Sequence, residues 1–159
     1  MTQKLKAVSS EAAGLYETDF VAWAEQQVLL LQQEQFKELD LLNLIDEVQD
    51  LSRRERQALY SNLKVILLHL LKWYYQPQSR SNSWRASIRE HRQRIARQLL
   101  DSPSLKPYLE QILAECYQDA RSLAADETGL PLETFPLECL YTITEILDSN
   151  FLGDGEANS

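Results

Sequence analysis

Apolar side chains recur along this chain with the 3.6-residue period of helices, and no segment alternates with period two over a useful length. Residues 1–14 show no periodicity and read as a flexible N-terminus. Thr18 is placed to cap a first helix over about 19–34, where Phe20, Trp23, Ala24, Gln27, Val28 and Leu31 follow helical spacing. Asp40 is placed to cap a second, long helix that reaches about Tyr75. Its first stripe is Leu41, Leu44, Ile45, Val48 and Leu51, and its second is Leu59, Leu63, Ile66, Leu67, Leu70 and Trp73. Between the stripes, Ser52-Arg53-Arg54-Glu55 has the form of a capping box, which would allow a break. Neither Gly nor Pro interrupts the stretch, so continuity is the expectation. From Leu63 to Tyr75 the helix is apolar on nearly every side, the mark of a central helix surrounded by others.

Gln76-Pro77 stops that helix, and a polar turn follows through Asn82. Ser83 is placed to cap a third helix with Trp84, Ile88, His91, Ile95 and Leu99 on its inner face. After the Ser102-Pro103-Ser104 turn, Ser104 is the expected cap of a fourth helix, with Pro107 in the first turn. That helix has the cleanest stripe: Leu105, Tyr108, Leu109, Ile112, Leu113, Cys116, Tyr117, Ala120 and Leu123. Gly129 is the expected terminator. A last short helix starts at Thr142, with Glu145 completing a capping box. The pattern therefore predicts an all-α fold. It is an irregular bundle of four main helices with a long second helix and a short C-terminal fifth helix. It reads as one domain over 15–152, followed by a disordered tail over 153–159.

Composition supports few, long elements, since the chain has only 4 Gly and 5 Pro. No apolar run of about 18 residues is present, so no membrane span is expected. The start, MTQKLKAVSS, lacks the apolar stretch of a secretory signal. Cys116 and Cys139 read as reduced thiols, which makes the cytoplasm the expected address.

Charge changes the picture more. The net −8 hides a balance of −7 over residues 1–50, +9 over 51–97 and −10 over 98–159. One reading is that the three segments pack together and neutralise each other. The other is a basic face for a polyanion, centred on the third helix. There Arg85, Arg89 and Arg92 flank the inner face, and arginine suits bidentate phosphate contact.

Candidate chemistry is sparse. No glycine-rich phosphate loop, GxSxG, CxxC, HExxH or Glu-x-x-His pair occurs, and no cofactor is called for. Asp46, Glu47 and Asp50 on the second helix read as a solvated acidic face, with Asp50 and Arg54 at ion-pair spacing. If helices two to four are antiparallel neighbours, His69, His91 and Cys116 fall at similar depths on apolar faces. Two imidazoles and a thiolate could then ligate zinc, or each could be a separate core residue.

Several short pieces match a known family. They are Tyr16-Glu17-Thr18-Asp19-Phe20 with Trp23, Leu39-Asp40-Leu41 running into Ile45-Asp46-Glu47, and Leu67-Leu68-His69-Leu70-Leu71-Lys72-Trp73. Ser83-Trp84-Arg85, Ser102-Pro103-Ser104-Leu105, Thr128-Gly129-Leu130-Pro131, Phe135-Pro136 and Cys139 before Tyr141-Thr142 continue the set. In these the chain resembles the bacterial domain of unknown function 29 family, abundant in cyanobacteria, over about residues 15–152. The resemblance implies an all-α bacterial cytoplasmic protein and carries no activity or catalytic residue. The expected function is thus a non-enzymatic module that binds another protein or itself. A nucleic-acid-binding regulatory role for the third helix is the alternative, and a metal-dependent enzyme the remote one.

Overall fold

Helix ends leave N–H and C=O groups unpaired, so the side chains that satisfy them set the boundaries. The computed structural model describes residues 10–153 and, from Gly14 on, their side chains. Expectations for residues 1–9 and 154–159 lie outside the described residues. Among the described residues there are six α-helices: α1 (Ser10–Thr18), α2 (Phe20–Gln32), α3 (Leu41–Tyr75), α4 (Asn82–Asp101), α5 (Lys106–Thr128) and α6 (Ile143–Leu147). Four one-turn 3-10 helices join them, and no strand occurs among the described residues. The all-α expectation holds, with α2 to α5 as the main helices, α3 the long one and α6 the short C-terminal one.

Several boundaries differ from the sequence reading. Residues 10–14 belong to α1 rather than to an aperiodic start. Thr18 closes α1, its hydroxyl bonding back to Gly14 O at 2.8 Å, and Asp19 caps α2 by accepting from Ala22 N at 3.0 Å. Ser81, not Ser83, caps α4, accepting from Trp84 N at 3.3 Å. Ser104 sits inside the Pro103–Leu105 turn, and α5 starts without a side-chain cap.

The remaining signals hold. Asp40 precedes α3 and accepts from Asn43 N at 3.5 Å. α3 runs unbroken through Ser52, whose hydroxyl donates to Gln49 O at 3.0 Å within the helix. Gly129 ends α5 at φ +70°, and Thr142 with Glu145 forms the capping box of α6.

The chain divides into two compact units, one ending at Arg53 and one starting at Arg54, with α3 continuous through both. In the N-terminal unit the buried centre is Trp23, Gln27, Leu39 and Asp40. Two of these four are polar, and they are tied together. Trp23 Nε1 donates to Asp40 Oδ2 at 3.0 Å, Asp40 N donates to Gln27 Oε1 at 2.8 Å, and Asn43 Nδ2 donates to Asp40 Oδ2 at 2.7 Å. Tyr16 adds an edge-on ring at 4.8 Å from Trp23, and its hydroxyl donates to Glu47 at 2.7 Å.

In the C-terminal unit one apolar core gathers residues from every helix. Leu63, Ile66, Leu67, Leu70 and Leu71 of α3 are at most 1% exposed, which makes this half of α3 the central helix its all-round apolarity predicts. Ile88 and Ile95 of α4, Leu109, Cys116, Tyr117 and Ala120 of α5, Ile146 of α6, and Phe135 of the loop before it pack on it. The loop after Gly129 is held to α5 by polar bonds. Arg121 Nε donates to Phe135 O at 3.1 Å, and Tyr117 Oη to Pro136 O at 2.7 Å.

Candidate functional site

Two features stand out, one in each unit. In the N-terminal unit the apolar stripe that opens α3 is not buried. Leu41, Ile45, Val48 and Leu51 are 40%, 48%, 64% and 62% exposed. On α2, Trp23 and Gln27 turn inward, and Phe20, Val28 and Leu31 of the same predicted face remain exposed. The periodicity is real, but most of it faces outward. Acidic side chains share this surface. Glu25 and Asp46 are exposed, and Asp50 pairs with Arg53 one turn on, not with Arg54.

The second feature is the arginine face of α4, where the three predicted arginines have different fates. Arg92 is only 7% exposed, because Ile88, Arg92, Ile95 and Leu99 form the true inward stripe of this helix. Its Nε donates to Ile146 O at 2.7 Å and its Nη2 to Phe151 O at 2.6 Å. Ile146 lies in the last turn of α6, so the guanidinium satisfies a carbonyl that the helix leaves free. Burial lowers the Arg92 pKa, and the charge of Asp148 partly opposes that. Arg85 and Arg89 are exposed, and Arg85 lies 5.8 Å from the centroid of the Trp73 ring. A polyanion laid along α4 would therefore meet Arg85 and Arg89, whereas Arg92 is spent largely on its own chain.

All three arginines nonetheless line one cavity of about 580 Å³ between α4 and residues 149–152, with Gln93, Ser149 and Asn150. A second cavity of about 450 Å³ shares Arg89, Arg92, Gln93, Ser149 and Asn150. Sequence reasoning missed Ser149 and Asn150, which are far along the chain and carry no motif.

The other basic and acidic groups mostly find partners within the C-terminal unit. Lys72 pairs with Glu127 at 2.6 Å, Arg94 with Glu90 at 2.5 Å and Arg97 with Asp101 at 3.1 Å.

His69, His91 and Cys116 do not form the metal grouping. Among the described residues no set of three or more His, Cys, Asp or Glu side chains could hold a metal ion. Each of the three has a hydrogen-bond partner of its own instead, one turn back for the histidines and across to α3 for the cysteine. His69 Nδ1 meets Val65 O at 2.8 Å, His91 Nδ1 meets Ser87 O at 2.8 Å, and Cys116 Sγ donates to Tyr60 O at 3.5 Å. Burial lowers the His69 pKa against the opposing pull of the Val65 carbonyl. Burial pushes the Cys116 thiol up to about 12. No described helix is long and apolar enough to cross a membrane.

The family described as "Domain of unknown function DUF29" matches residues 15–152. The chain belongs to this family. The matched span contains both the exposed stripe of α3 and the arginines of α4. No curated protein and no solved structure matches the chain.

Proposed function

We propose that this protein is a non-enzymatic interaction module whose N-terminal unit docks onto a partner protein carrying a basic amphipathic helix. The support is the outward apolar stripe of α3. At about 100° per residue, Leu41, Ile45, Val48 and Leu51 fall within an arc of about 120°, the geometry of helix-against-helix recognition. Exposed apolar side chains this concentrated are the usual sign of a docking surface. Charge selects the partner. Residues 1–50 carry a balance of −7, so two such faces would repel, whereas a helix rimmed with Lys and Arg would be attracted.

The test is fluorescence anisotropy with a labelled synthetic helical peptide, leucines on one face and Lys and Arg on the other. Saturable binding is expected. Ile45→Ser with Val48→Ser should weaken it about tenfold or more, since each substitution removes apolar contact area. Equal binding of a peptide with Glu in place of Lys and Arg would overturn the proposal, as would unchanged affinity in the double variant. Sedimentation equilibrium adds a further outcome. A dimer dissolved by the same two substitutions would assign the face to a second copy of the chain instead.

A further inference from the structure

Burying a guanidinium is costly unless its charge is compensated. Arg92 is 7% exposed, and no carboxylate lies within ion-pair distance of it among the described residues. Its two bonds to carbonyls satisfy Nε and Nη2, while Nη1 has no hydrogen-bond partner among the described residues. The same cavity collects Arg85 and Arg89, two turns and one turn earlier on the same side of α4. Like charges at this spacing repel.

The acids at hand do not cancel them. Glu90 also lines the cavity, but its carboxylate is engaged by Arg94 at 2.5 Å. Asp148 acts on Arg92 only through its field, and its Oδ1 accepts from Asn150 N at 2.8 Å. Three arginines against Asp148 leave an excess of about two positive charges, close to the charge of a phosphate monoester near neutral pH.

We propose that the cavity between α4 and residues 149–152 binds a small phosphorylated polar molecule, such as a sugar phosphate. Arg85 and Arg89 grip the phosphoryl oxygens, and the buried charge of Arg92 draws the group inward. Arginine forks fit phosphoryl oxygens with paired, charge-assisted hydrogen bonds. A volume of about 580 Å³ falls within the usual range of small-molecule sites, about 300–1,000 Å³, and is generous for bare phosphate. Gln93, Ser149 and Asn150 offer donors and acceptors that suit hydroxyl groups on the remainder of such a ligand. This site lies wholly in the C-terminal unit and is independent of the docking face of the N-terminal one.

The test is titration calorimetry of the full chain at low salt with inorganic phosphate, glucose 6-phosphate, glucose and a single-stranded oligonucleotide. Phosphate and glucose 6-phosphate should bind saturably and compete with each other, the sugar phosphate more tightly, and glucose should not bind. Arg85→Gln with Arg89→Gln should weaken glucose 6-phosphate about a hundredfold, at about tenfold per charge-assisted contact. Arg97→Gln, which removes an arginine of the same helix outside this cavity, should change nothing. In the native protein, the side-chain Nε–H resonances of Arg85 and Arg89 should shift with glucose 6-phosphate while that of Arg97 stays, a readout that needs no variant. Failure of both phosphate ligands to saturate would overturn the proposal, as would an equal loss in Arg97→Gln. Oligonucleotide binding that glucose 6-phosphate cannot displace would also overturn it, in favour of an open basic face.

Discussion

Eleven of the sixteen large apolar side chains that remain exposed among the described residues belong to the unit ending at Arg53. Among the described residues that unit buries two apolar side chains, Trp23 and Leu39, whereas the core of the other unit gathers eighteen buried residues. The N-terminal unit is held by caps, an aromatic cluster and a hydrogen-bonded knot around Asp40. The C-terminal unit is held by area removed from water. Polar knots fix geometry but contribute modest net free energy, while buried area contributes most of the stability of a fold. A unit of the first kind leaves its apolar surface exposed and has less local stability to spare.

The largest effect that would sharpen this contrast comes from the core of the second unit. Leu70→Ala should lower unfolding stability by about 2–5 kcal/mol, as for other fully buried leucines. Val48→Ala, at an exposed position of the same helix, should change it by no more than about 0.5 kcal/mol. Urea unfolding of both variants measures the difference, and equal losses would erase the contrast.

A middle-sized effect is expected at the knot. Asp40→Ala leaves the buried Trp23 indole N–H without its acceptor, at a cost of about 1–3 kcal/mol. Amide exchange should accelerate in α1, α2 and the start of α3, while amides from Leu63 to Leu71 keep their protection. Acceleration of both sets alike would mean that the knot is not local.

The smallest effect is a pH dependence confined to the second unit. Burial lowers the His69 pKa below its ordinary 6.5, so at mildly acid pH the unfolded chain binds a proton that the folded one resists. The stability contribution is therefore complete above pH 6.5 and falls as the pH drops from there through the lowered folded value. His69→Gln should flatten that stretch of a stability-against-pH curve. An unchanged slope would show that His69 is not its source.

Much of the fold was legible because its signals are local. Asp40, Gly129 and the Thr142–Glu145 pair act within one turn of where they stand, and the all-round apolarity of 63–75 needs no knowledge of the neighbours. What was not legible depends on partners far along the chain. The stripe from Leu41 to Leu51 has the same period whether it faces a core or water, so its exposure could not be read from spacing. Arg92 occupies an inward position between Ile88 and Ile95, a pattern visible in the sequence. Its charge nonetheless argued for the surface, because the carbonyls that receive it belong to residues 146 and 151. Similar depth along neighbouring helices suggests a grouping of the histidines with Cys116, but depth along a helix says nothing about azimuth.

The bonds of Arg92 also impose an order in time. They join positions 54 and 59 residues apart. At a synthesis rate of about 5–20 residues per second, roughly three to twelve seconds separate the addition of Arg92 from that of Phe151. Until Ile146 is added the guanidinium has neither of its carbonyls, and until Phe151 is added it lacks the second. The hydrogen bonding of this one guanidinium is thus complete only once the last turn that the C-terminal unit contributes to it has been made.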